Sequence, residues 1–235
     1  MNDVRPGITK KVGVTATSTL AVAALLMATM PFASATGSRL SRTSDRAATT
    51  HCDTTITGRF HAVINVPAPY TYCLVKLMQT GAVNVAPGAA LSVTGGSVIN
   101  GAITLVGAKA FTFCASSTKG GAIKASRSIG FVMIGNGGDP GLLAKPCGSN
   151  HIDGAVTLSG NKGGVEVGGS FIVGGLTVSK NVGPNRGAPN ENHATEVEGN
   201  TVRGLTTCAT NTPAAINDGH KNTFTGSARG QCVGL

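Results

Sequence analysis

A glycine-centred pattern recurs at Gly58, Gly81, Gly101, Gly121, Gly154, Gly174, Gly204 and Gly226, and three of the seven intervals between these glycines are identical. Two places after the glycine stand apolar residues such as Val83, Ile103, Ile123, Val156 and Leu176; two places before stand Ile56, Ile99, Ile152, Ile172, Val202 and Phe224. This alternation predicts a strand with one buried face, crossing the glycine. Four places before the glycine stand Ser97, Ser117, Asn150, Ser170, Asn200 and Asn222. They predict corners, with Asn adopting the left-handed backbone that a tight corner needs. A second apolar pair falls midway: Leu91 and Val93, Phe111 and Phe113, Phe131 and Met133, Val165 and Val167. A unit of two or three such short strands cannot bury its own apolar face, so the units must stack.

The fold this implies is all-β: a single-chain parallel β-solenoid (β-helix) of about eight coils with a repeat of roughly 20 residues, forming a rod of about 40 Å. Glycine, 34 of 235 residues, suits both corners with φ > 0 and an interior with little room for Cβ atoms. A β-sandwich is the competing architecture, but its hairpins do not predict intervals that repeat identically. With 41% hydrophobic and only 12% charged residues, the composition is not that of a disordered chain.

Residues 1–35 read as an export signal. Arg5, Lys10 and Lys11 precede an uncharged stretch containing Leu20-Ala21-Val22-Ala23-Ala24-Leu25-Leu26-Met27, and Ala33-Ser34-Ala35 fits a small-x-small cleavage site. Cleavage is expected after Ala35; the competing reading is an uncleaved anchor. Residues 36–51 then form a flexible linker before a solenoid domain at 52–235. Losing the leader removes three basic residues and one acidic residue, taking the net charge from +9 to +7. No apolar run of membrane-spanning length follows residue 35, so the mature form is expected to be secreted or cell-surface and free of membrane.

Cys52, Cys73, Cys114, Cys147, Cys208 and Cys232 all fall in the mature part. An even count in an exported chain reads as up to three disulfides, with 15 possible connectivities. The repeat register puts Cys208 and Cys232 on one face of adjacent coils, and Cys52 and Cys73 flank the first coil. Cys114 and Cys147 remain, which favours the set 52–73, 114–147 and 208–232. A metal site is the weaker alternative, since there is no C-x-x-C pair and the five histidines are scattered.

The unit Asn-Thr-(Val/Phe)-x-Gly, at Asn200–Gly204 and Asn222–Gly226, and the terminal Gly230-Gln231-Cys232 resemble small-repeat secreted β-solenoid proteins of actinobacteria over residues 52 to 235. The resemblance implies fold and secretion and carries over no catalytic residue. The chain departs from the pattern at Gly204-Leu205-Thr206-Thr207, where an apolar residue stands one place early.

Two coils carry insertions: one near Asp139 running to Cys147, the other from Gly183 through Glu191 to His193. They are expected to leave from different corners, against one shared site, and to be surface decoration. The carboxylates Glu166, Glu196 and Glu198, with Arg186 and His193 near, form the single constellation that could serve a polysaccharide lyase acting on an acidic polymer. The competing expectation for these carboxylates is solvated charge on an outward strand face. A nucleophile elbow, Walker loop and H-E-x-x-H are lacking, so no cofactor or metal is expected. Lys76, Lys109, Lys119, Lys124, Lys162 and Lys180 are spaced along many coils, a pattern that suits soluble faces or an anionic cell-wall polymer more than nucleic acid. The leading expectation is a non-catalytic structural or interaction protein of the envelope or extracellular space.

Overall fold

The computed structural model describes residues 51–136, 147, 149–183 and 195–235. The leader and nearly all of the linker, like the insertion residues near Asp139 and Glu191, lie outside the described residues.

The described chain is a parallel β-solenoid with three faces. The first face is an eight-stranded sheet: Ile64–Val66, Val83–Val85, Ile103–Val106, Ile123–Ser126, Val156–Ser159, Leu176–Ser179, Thr206–Ala209 and Ala228–Gly230. The second contains the first part of the bent strand Thr71–Gln79, then Ala90–Thr94, Ala110–Phe113, Val132–Ile134, Val165–Gly168 and Thr195–Glu198. The third continues from Met78 and Gln79 through Val98–Ile99, Ser117–Thr118, Asn150–Ile152, Ser170–Ile172, Thr201–Val202 and Thr223–Phe224. Each strand pairs in parallel with its counterpart one repeat away; Ile103, for example, aligns with Val83 on one side and Ile123 on the other. Alternation is explained by this stacking. Inward residues form axial files such as Ile103, Ile123, Val156 and Leu176, all fully buried, and each contributes roughly 1.5–3 kcal/mol of burial.

Gly58 lies within the strand Thr54–Phe60, but from Gly81 onward the anchor glycine does not lie within a strand. It turns the corner between the third face and the first, so Ile99 and Ile103 point inward from two different strands on either side of Gly101. From Gly81 to Gly226 the anchors keep negative φ; Gly58 alone has a positive value, 80°. What demands glycine is close approach of backbones. A Cβ on Gly204 would lie 2.6 Å from the carbonyl carbon of Gly174 and the nitrogen of Gly175. A Cβ on Gly174 would lie 2.6 Å from the carbonyl of Gly154.

The other two corners share a different construction. Between the first and second faces, Gly107, Arg127, Gly160, Lys180 and Thr210 adopt φ of 54–66°, and the next residue turns inward. At the last three of these it is Asn161, Asn181 or Asn211, each at most 4% exposed. Asn181 Oδ1 accepts from the Asn161 backbone N–H at 3.0 Å, and its Nδ2 donates to Leu158 O at 3.2 Å and to Asn211 Oδ1 at 2.9 Å. The second-to-third corner repeats this with Asn200. Its Oδ1 accepts from Ser170 N–H at 3.1 Å, and its Nδ2 donates to Val167 O at 2.7 Å. The asparagines therefore do not take the left-handed conformation themselves. The residue before them does, at roughly 1–2 kcal/mol for a non-glycine, and the amide then satisfies backbone groups that the bend removes from the ladder.

Two registers differ from expectation. Ser116, not Ser117, holds the inward corner position: its N–H donates to Asn150 Oδ1 at 3.1 Å, and Ser117 aligns with Val98 on the outer side. The cause is one extra residue before the anchor, Gly120, with φ of 68°. In the next repeat the inward pair of the second face is Val132 and Ile134, aligned with Phe111 and Phe113, whereas Met133 faces outward opposite Glu166. The departure at Leu205 shifts nothing. Thr206 aligns with Leu176 and is fully buried, and Leu205 stands outside, 46% exposed.

Three disulfides join Cys52 to Cys73, Cys114 to Cys147 and Cys208 to Cys232. Two stability measurements check this construction. Gly204→Ala is expected to lower the urea-unfolding free energy by more than about 2 kcal/mol, because backbone must shift to admit the methyl. Asn181→Ala is expected to cost about 2–3 kcal/mol, since Asn161 N–H and Leu158 O lose their buried partner.

Candidate functional site

Glu166 and Glu196 are aligned neighbours on adjacent strands of the second face, and Glu198 aligns with Gly168 two residues further along. The three carboxylates are therefore brought to one outward side, as the register predicts. They are not solvated there. Glu166 is fully buried and Glu196 and Glu198 are each 2% exposed, while Val165, Val167 and Val197 fill the inward positions. Both sides of these two strands are buried, which a period-two pattern read as inside and outside does not anticipate. Arg186 and His193 lie outside the described residues.

The insertions attach at different corners, yet both border this face. The first departs at Asn136, directly after Val132–Ile134, and the second enters Thr195–Glu198, with the Glu166 strand between them. Different corners thus do not mean different faces. At the base of the first insertion, Cys147 is bonded to Cys114 and donates its N–H to Asn136 Oδ1 at 2.9 Å.

The outer side of the third face carries a second group of chemically capable side chains. Its central file runs Val98, Ser117, His151, Phe171, Thr201 and Thr223. His151 and Phe171 have ring centroids 5.0 Å apart at 37°. The Arg203 guanidinium lies 4.9 Å above the Phe171 ring, a cation–π geometry. Asp153 Oδ1 lies 2.9 Å from His151 Nε2, and its Oδ2 accepts from Gly120 N–H at 3.3 Å. Beside His151 is an open hollow of about 220 Å³, walled by Ser117, Ser149, Ala115 and Gly96 among others. The sequence reading missed this group. Its signal was available, for His151, Phe171 and Thr201 stand three places before successive anchors and Asp153 and Arg203 one place before theirs.

The outer side of the first face is regular in register. One file runs Asn65, Asn84, Thr104, Lys124, Thr157, Thr177, Thr207 and Arg229, with Ser126, Ser159 and Ser179 beside it. Among the described residues no cluster of three or more His, Cys, Asp or Glu could hold a metal ion, and no helix is long and apolar enough to cross a membrane. No family model matches the chain, and no curated protein or solved structure does so either.

Carbodiimide labelling of the native protein tests the two carboxylate environments. Asp153, with a side chain 39% exposed, is expected to react, whereas Glu166, Glu196 and Glu198 are expected to react only after denaturation. Peptide mass spectrometry reads the result, and native labelling of Glu166 at the Asp153 rate would contradict the burial.

Proposed function

We propose that the chain is an exported, non-catalytic interaction protein of the cell envelope or extracellular space, akin to the small-repeat actinobacterial proteins it resembles. The observation that carries this reading is the outer side of the eight-stranded sheet. It presents an axial file of hydroxyl and amide side chains with two cations, Lys124 and Arg229, and no carboxylate. Strand stacking repeats this chemistry about every 4.8 Å. A regular, weakly basic surface suits an extended polymer carrying negative charge.

Export is supported by the Arg5–Ala35 leader pattern and by the three disulfides, which persist in oxidising compartments. The lyase alternative needs carboxylates that a polymer can reach, and Glu166, Glu196 and Glu198 are buried. Incubation with polygalacturonate is therefore expected to leave polymer length unchanged and to produce no ultraviolet-absorbing unsaturated ends. The same protein is expected to sediment with purified envelopes and to be released by salt, because exposed charge pairs are screened. Shortened polymer would overturn the non-catalytic reading, and failure to sediment would overturn the envelope partner.

A further inference from the structure

From the geometry of the third face we infer a specific binding site for an acidic oligosaccharide, built by Ser117, Ser149, His151, Phe171 and Arg203. The inference deepens the interaction reading and rests on it. It assigns recognition to a defined cluster separate from the diffuse charge of the first face.

Arg203 is exposed and makes no ion pair among the described residues. Its guanidinium is held over the Phe171 ring, which fixes the cation while leaving its N–H edge to solvent. A guanidinium held in place loses less freedom on binding, and its fork matches a carboxylate or phosphate bidentately. Phe171 and His151 are aligned on neighbouring strands with ring centroids 5.0 Å apart and planes inclined at 37°, so they form one aromatic ridge against which a sugar ring can rest. Asp153 holds the imidazole through one oxygen, and its other oxygen is held by Gly120 N–H. The carboxylate thus orients the histidine, and both its oxygens are engaged.

Beyond His151 the hollow supplies hydroxyls. Ser97 and Ser116 already donate to backbone carbonyls, Ser97 to Thr94 O and Ser116 to Cys114 O. The Ser117 and Ser149 hydroxyls have no hydrogen-bond partner among the described residues and wall the hollow. From the Ser117 strand to the Thr201 strand that leads to Arg203 is three strand spacings, roughly 14 Å. That span suits a chain of several sugars: hydroxyls engaged in the hollow, a ring against His151 and Phe171, and the anionic group on Arg203.

The test uses calorimetric titration of the exported, disulfide-intact chain with trigalacturonate, with a glycerol-phosphate oligomer, and with neutral galactotriose. At least one acidic probe is expected to bind, the tighter of the two identifying carboxylate or phosphate as the source, and galactotriose is expected to bind at least tenfold more weakly. Arg203→Gln, which removes an exposed charge and preserves size, is expected to weaken the acidic probe about tenfold, the loss of one charge-assisted contact. The variant Lys162→Gln, which removes an exposed charge away from both faces, is expected to bind within twofold of the parent. Thermal melting verifies that each variant is folded. Binding unchanged in Arg203→Gln, lost equally in Lys162→Gln, equal for galactotriose, or absent for both acids would each overturn the site. Loss in the paired variant Lys124→Gln/Arg229→Gln with Arg203→Gln unaffected would move recognition to the first face, overturning the site and leaving the interaction reading standing; cleavage of a probe would sink that reading while leaving Arg203 dependence intact.

Discussion

One corner of this solenoid brings the backbone of each repeat against the carbonyl of the repeat before it, too close for any side chain. Gly81 meets Ala62, and from there each anchor to Gly226 meets its predecessor. With that corner pinned, the inward residues on either side of it fall into axial files, and the three faces follow. Backbones also approach closely at Gly130, Gly163 and Gly183 near the first-to-second corner, but the remaining two corners add a further element. They use a left-handed residue followed by a side-chain amide that replaces the missing ladder bonds. Asn161, Asn181 and Asn211 form one such column, continued by Gln231, whose Oε1 accepts from Asn211 at 2.9 Å. Inside a dry core the column must be complete, since a half-satisfied polar network costs more than an apolar one.

Much of this was written in the chain. The anchors, the period-two alternation, the inward files and the cysteine pairs could all be read from position relative to the glycines. What could not be read was the role of the anchor, which looks like a mid-strand glycine because two different strands point inward around it. Nor was the asparagine column seen, although its members stand seven places after Gly154, Gly174 and Gly204. An amide becomes structural when a partner arrives from the next repeat, and that partner lies a full turn of the solenoid away along the chain. Gly120 shifted one register by a single residue, and only pairing with the neighbouring strand reveals it.

The candidate sites were legible to different degrees for the same reason. Glu166 and Glu196 could be aligned from the register, but their burial depends on both sides of a strand, and alternation speaks only for one. His151, Phe171 and Arg203 were each unexceptional in sequence. Stacking turns a separation of one whole repeat into a pair of neighbouring strands, and a ring, a cation and an imidazole become one surface. In a solenoid the chemistry worth searching for lies at equal distances from the anchors, not in contiguous motifs.

The placement of the cystines bears on how such a stack comes apart. A stack held by nearest-neighbour contacts frays from its ends, where a repeat has one neighbour to lose instead of two. Here the first repeat is tied to the next through Cys52 and Cys73, and the final turn is tied back through Cys208 and Cys232. Peeling from either terminus meets a covalent stop within its first step. Opening must then start in the middle, against two interfaces at once, so the barrier to unwinding is set where the stack is thickest.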